Sequence, residues 1–150
     1  MKLTTTSDQD LHQLSTGLKG FRIFSADSDQ MKRKIPKTIS GICNQGDLDT
    51  GGTHWVAFYN GANQKYTIYY DSFGQPPDPR LLRYLKTSGK QVIGLSSIHQ
   101  ALDSKACGYY CIFFLKAMNK GQSPAEFLSQ FSDNEKKNEK ILSTFFEKKI

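Results

Sequence analysis

Cys107 stands at the head of the segment Ser104-Lys105-Ala106-Cys107-Gly108-Tyr109-Tyr110-Cys111, just ahead of the apolar run "IFFL". A cysteine kept only for packing gains nothing from that place, but a cysteine that must become a thiolate does. The N–H groups and dipole of a helix N-terminus, with Ser104 in position to cap, stabilise the anion. Together with a neighbouring imidazolium they can lower a thiol pKa from about 8.5 by several units. Gly108 removes a side chain beside the sulfur, which lets a substrate backbone come close. Cys111 lies one turn further on, within the apolar stripe, and reads as a packed, inert thiol.

A thiolate nucleophile needs a base, and a base needs an orienting group. "THWVAFYN" (Thr53 to Asn60) and "KYTIYYDS" (Lys65 to Ser72) are strand signals, rich in aromatic and β-branched residues. The glycine-containing loop Gly61 to Gln64 joins them as a hairpin. Pairing Asn60 with Lys65 sets His54 directly opposite Asp71 on one face, with Cβ atoms roughly 4.5–5.5 Å apart. Asp71 can then hold one imidazole nitrogen while the other faces outward. An isolated His–Asp pair is more often a satisfied buried polar site, and Cys107 is what raises it above that. Gln100, seven residues before Cys107, supplies a side-chain amide that could join the cysteine's own N–H in stabilising an oxyanion. His99 is a rival imidazole without a carboxylate at hairpin distance, and His12 reads as a solvent-exposed residue of the N-terminal segment.

The elements that must position these groups read as α+β. A short helix over 8–15 precedes strands at "FRIFS" and "KTISGIC"; the hairpin follows, then a helix at "DPRLLRYLKT" and a strand at "QVIGLS". From Cys107 the apolar positions 107, 110, 111, 114, 115 and 118 follow helical spacing, with Ile112 and Phe113 filling the other side. That pattern is a buried central helix. The last helices begin at "SPAE", with Ser123 as N-cap, Pro124 at the first position and Glu126 at the third.

At 150 residues the chain is read as one domain over 1–150, long enough to bury a core without staples. With 37% hydrophobic and 23% charged residues it belongs with soluble globular proteins. Its longest apolar run is too short to cross a bilayer. The N-terminal "MKLTTTSDQD" does not read as a signal peptide. Three cysteines build no disulfide framework, so a reducing compartment is expected. The net charge of +6 gathers at Lys32-Arg33-Lys34 and between Lys136 and Lys149. Such runs are ordinarily solvated faces; attraction to nucleic acid is the sharper alternative.

His-Trp in "GGTHW", Asp-Ser in "YYDSFG" and the Gln-x6-Cys-Gly of "QALDSKACGYYC" together resemble the adenovirus endopeptidase (adenain) and its relatives in other DNA viruses and virus-like transposons. The order His, acid, Gln, Cys is also similar to the ubiquitin-like-protein-specific proteases of the same clan. The resemblance runs from about Ile42 to Leu115. It implies a papain-like α+β fold, with a central helix carrying the cysteine against a mainly antiparallel sheet. It also implies a thiol peptidase in which Cys107 is the nucleophile, His54 the base, Asp71 its orienter and Gln100 an oxyanion donor. Gly52, Trp55 and Gly108 would contact substrate, with Trp55 narrowing the channel so that cleavage follows glycine-containing sites. Viral capsid or core precursors are the implied polypeptide substrates, processed in an infected cell (nucleus or cytoplasm) or in the virion by a monomer.

The chain departs from the adenoviral pattern in three ways. Its acid is aspartate where those enzymes carry glutamate, it is shorter at the C-terminal end, and it has no cysteine between Cys43 and Cys107. No metal and no cofactor are expected; activation by DNA or a peptide fits the basic segments, whereas activation by a disulfide-linked peptide does not fit. Two alternatives stay open. One is an isopeptidase acting on a ubiquitin-like modifier with the same site chemistry. The other is a basic nucleic-acid-binding module with a metal held by Cys107, Cys111 and His54, completed by Cys43 or His99.

Overall fold

The computed structural model describes residues 2–45, 54–101 and 103–147. The chain forms α1 (Asp8–Leu14), β1 (Phe21–Ser25), a 3₁₀ turn (Asp29–Lys32), β2 (Ile39–Asn44), β3 (Trp55–Asn60), β4 (Tyr66–Tyr70), α2 (Pro79–Lys86), β5 (Gln91–Leu95), α3 (Cys107–Asn119), α4 (Pro124–Leu128) and α5 (Glu135–Glu147). The helix starts follow their local chemistry. Ser7 caps α1 and forms a capping box with Asp10, and Ser123 does the same for α4 with Glu126. Pro79 and Pro124 occupy the first turns of α2 and α4, where a missing N–H costs nothing.

The five strands lie in the order β1-β2-β3-β4-β5. The inner pairs β2–β3 and β3–β4 are antiparallel, while each edge strand runs parallel to its neighbour. The sheet is therefore mixed, not mainly antiparallel. The physical reason is the connections: a parallel neighbour needs a crossover, and the 3₁₀ turn and α2 supply one each.

Strand alternation divides the core into two layers. Trp55, Ala57 and Tyr59 of β3, with Ile68 and Tyr70 of β4, face α3. Val56, Phe58 and Tyr69 face the other way, onto Leu81, Tyr84 and Leu85 of α2. Every residue of α3 from Cys107 to Leu115 is buried, as expected of a helix apolar on nearly all sides. Burying side chains such as Phe114 and Leu115 stabilises the fold by about 1.5–3 kcal/mol each. The layer is closed by α4 and α5, where Phe113 meets Phe127 and Phe145 at ring-centroid distances of 5.9 and 4.9 Å.

The hairpin register differs from the expected one. Asn60 pairs with Thr67 and Ala57 with Tyr70; continuing that ladder puts Phe73, not Asp71, opposite His54. The wider loop is held by side-chain contacts of Asn60. Its Oδ1 accepts from Thr67 Oγ1 at 3.1 Å and from Lys90 Nζ at 2.8 Å. The same ammonium donates to the Gly61 carbonyl at 2.7 Å.

Candidate active site

His54 immediately precedes β3 and Asp71 immediately follows β4, so the open end of the hairpin brings them together. His54 Nε2 lies 2.9 Å from Asp71 Oδ1. Both lie beyond the last β3–β4 pair, Ala57 with Tyr70, and the register is displaced by an even number, so the face is kept. The Phe73 ring lies against the imidazole with centroids 5.0 Å apart. Asp71 is 1% exposed. Its Oδ1 also accepts the Phe73 N–H at 2.9 Å. Its Oδ2 is buried without a hydrogen-bond partner among the described residues.

His54 is also hydrogen-bonded to the Cys107 side chain. With Nε2 held by Asp71, Nδ1 is the ring nitrogen left for the thiol. Burial works against a charged imidazole here. The Asp71 hydrogen bond, then the Cys107 hydrogen bond and the two negative charges, outweigh it and raise the His54 pKa from 6.5 to about 9. The arrangement therefore favours an imidazolium beside the sulfur.

Cys107 is the first residue of α3 and is 6% exposed. Ala106, not Ser104, is the N-cap, and no side chain caps the helix. Ser104 Oγ instead accepts the Ala106 N–H at 3.2 Å, one residue ahead of the helix. No side-chain cap therefore takes up the first-turn N–H groups of α3, at the end of the helix that bears Cys107. The other two cysteines are different in kind. Burial pushes the Cys43 thiol up to about 12 and Cys111 well above its ordinary value. Both are packed in the core.

Gln100 is 1% exposed and is fixed at both ends of its amide. Ser72 Oγ donates to its Oε1. Its Nε2 donates to the Ser104 carbonyl at 3.0 Å and the Ser104 hydroxyl at 3.2 Å. The Ser72 carbonyl also accepts the backbone N–H groups of His99 and Gln100. Two consecutive residues at the end of β4 thus index the imidazole and the amide alike. The sequence marks Ser72 only as part of the Asp-Ser pair, with no role of its own.

The residues expected to contact substrate are placed otherwise. A Cβ on Gly108 would lie 2.0 Å from Thr6 Oγ1 and 3.0 Å from Leu11 Cδ2. Gly108 therefore makes room for the chain's own N-terminal segment, not for a substrate backbone. Trp55 is 3% exposed and its indole N–H donates to the Thr6 carbonyl at 3.2 Å, so it lies beneath that same segment. Gly52 falls outside the described residues. His99 is set apart from the pair: its Nδ1 meets Tyr70 Oη at 2.8 Å, its ring stacks on Phe131, and burial lowers its pKa to about 4. His12 is exposed. Among the described residues no three His, Cys, Asp or Glu side chains are grouped to hold a metal ion. No described helix is long and apolar enough to cross a membrane.

A buried helix that begins on a cysteine, packed on a sheet whose hairpin supplies a histidine–aspartate pair, has the α+β architecture of papain-like cysteine proteases of the adenain and Ulp1 type. The chain is similar to the protease of bovine adenovirus 7, with 27% identity over 104 residues that cover 59% of this chain and 51% of that protein. It thus spans about half the length of that relative. The crystal structure of the ASFV protease matches over 85% of this chain and 62% of its own, at 16% identity and a TM-score of 0.62. The SUMO protease Ulp1 matches over 79% of this chain and 68% of its own, at 14% identity and a TM-score of 0.54. No family model matches the chain. The resemblance to the adenoviral endopeptidase and to the ubiquitin-like-protein-specific proteases is thereby borne out.

Proposed function

We propose that the chain is a cysteine endopeptidase in which Cys107 attacks the scissile carbonyl. The observation that carries this is the His54 imidazole, hydrogen-bonded on one side to Asp71 and on the other to Cys107. The ring takes the thiol proton, and as imidazolium returns it to the leaving amine. Asp71 keeps Nε2 occupied and stabilises the positive charge. The Cys107 N–H stabilises the oxyanion, joined by the Gln100 amide when one of its N–H groups turns from Ser104. Water then attacks the thioester, with His54 acting as base, and releases the acid product.

The substrates we propose are viral structural precursors cut after glycine-containing sequences. Trp55 is packed directly after His54, and small residues before the scissile bond suit a restricted approach to Cys107, a residue 6% exposed. The bovine adenoviral relative is named a protease, which supports cleavage of a polypeptide. A library of peptides with glycine pairs, alongside ubiquitin-like proteins carrying C-terminal extensions, tests this with Cys107→Ala as the blank. Turnover of glycine-pair peptides is expected. Turnover confined to the folded modifiers would move the reading to the isopeptidase. Equal turnover with leucine or arginine before the scissile bond would refute the glycine preference.

A further inference from the structure

Ile98 is the one large apolar side chain among the described residues that stands exposed, at 60%. A single exposed apolar residue is ordinary on a protein surface; the place of this one gives it a use. Gly74 has a φ of +70°, and a Cβ there would lie 3.1 Å from Ile98 Cγ1 and 2.7 Å from the Ser96 carbonyl oxygen. The Ile98 side chain therefore lies on bare backbone, at the end of the turn that the Gly74 N–H closes on the Asp71 carbonyl at 2.8 Å. Phe73 precedes that glycine, and its ring lies against the His54 imidazole. We propose that Ile98, with Phe73, forms a subsite for an apolar side chain on the first residue after the scissile bond, in the leaving-amine half of the substrate. This rests on the cysteine endopeptidase reading given above.

The side of the site follows from the path of the proton. As imidazolium, His54 returns its proton to the leaving nitrogen, so the residue that owns that nitrogen begins at the ring. Two aromatic side chains adjoin His54. Trp55, next in the chain, is 3% exposed, and its indole N–H is taken by the Thr6 carbonyl. Phe73 is only partly buried and is the one a substrate can reach. Ile98 continues the apolar surface across Gly74. Its backbone is fixed there, because the next two N–H groups, those of His99 and Gln100, both donate to the Ser72 carbonyl, at 2.9 and 3.1 Å. A subsite tied in this way to the residue after Asp71 is in register with the reacting atoms before substrate arrives. Beyond Ile98 lies a cavity of about 390 Å³, where Ser96, Ser97, Ser132 and Asp133 stand beside Leu128 and Phe131. That mixed wall does not extend the apolar ground, so the subsite takes one apolar residue and not a run of them.

The test is a set of peptides with a glycine pair before the scissile bond and leucine, alanine or glutamate directly after it, with rates expressed per active site. Wild type is expected to favour leucine over glutamate on the order of tenfold in kcat/KM. Ile98→Ser should bring that ratio down to about twofold, and Ile98→Lys should reverse it, because an ammonium there attracts the glutamate. A ratio within one variant cancels any general loss of active enzyme, so mere damage to the site leaves it unmoved. A wild type without preference, or a preference that both variants retain, overturns the proposal. If no peptide in the set is cut, the endopeptidase reading fails and binding decides the subsite. The Ile98 methyl resonances of Cys107→Ala are then followed during titration with peptides of the leaving half, headed by leucine or by glutamate. Displacement by the leucine peptide alone supports the subsite; displacement by neither, or equally by both, overturns it.

Discussion

Replacing Asp71 by asparagine should move the alkaline limb of the pH–rate profile, and the structure fixes both its direction and its size. The amide oxygen of asparagine can still accept from His54 Nε2 at the observed 2.9 Å, so the ring keeps its place while the negative charge is lost. In the native site, burial pulls the His54 pKa down, and the contacts to Asp71 and Cys107 more than reverse that, from 6.5 to about 9. That displacement corresponds to about 3 kcal/mol in favour of the imidazolium. With Asp71 neutral, burial is opposed by Cys107 alone, and the pKa should fall to 6.5 or below. The imidazolium is the form that protonates the leaving amine. The native rate should therefore hold up to about pH 9 and decline above it. In Asp71→Asn the same decline should begin more than two units lower. The assay is kcat/KM for a glycine-pair peptide between pH 5 and 10, normalised to active sites, with the His54 ring followed by NMR in the same samples. An alkaline limb within half a unit of wild type would refute the account of Asp71 as the source of the charge. A fall in rate without a shift would make Asp71 a steric support only.

Three further outcomes follow from the geometry. A thiol reagent at pH 7 should label Cys107 far ahead of Cys43, whose pKa of about 12 leaves only about one thiolate in 10⁵; mass mapping that found Cys43 or Cys111 labelled first would move the nucleophile. Gly108→Ala should destabilise the fold by about 1–3 kcal/mol, because its Cβ would sit 2.0 Å from Thr6 Oγ1. A denaturant midpoint unchanged from wild type would show that the N-terminal segment yields. Lys32, Arg33 and Lys34 are exposed together, and three phosphate contacts there would make duplex DNA affinity fall about 40-fold between 50 and 200 mM salt; no binding at the lower salt would leave these residues a solvated face.

The parts of the site carried by local pattern were legible in the sequence, and the parts carried by long-range contact were not. Cys107 could be read because a helix start, a glycine and an apolar run share one short segment. The start of α4 was legible for the same reason, since Ser123, Pro124 and Glu126 form a local capping signal. The bond from Ser104 to Glu139 could not be read, because it spans 35 positions and nothing in the local sequence marks it. Gly108 was legible as a glycine that something must approach, but not as one approached by Thr6. Two segments far apart in the chain meet there, and no periodicity records that meeting.

The hairpin shows why a wrong register still delivered the right pair. The sequence pattern places the apolar residues of β3 and β4 on definite faces, because Trp55, Ala57 and Tyr59 must meet α3 while Val56 and Phe58 meet α2. A slip of one residue would exchange those faces and lies outside what the core allows. A slip of two keeps them, and differs only in loop length and in the polar contacts of Asn60 and Lys90. Hydrophobic pattern alone therefore fixes a register modulo two. His54 and Asp71 sit beyond the last paired residues. Nε2 and Oδ1 meet at 2.9 Å where the turn from Asp71 to Gly74 ends the ladder. Parity, set by burial, placed the imidazole and the carboxylate together; the exact pairing was left to the turn.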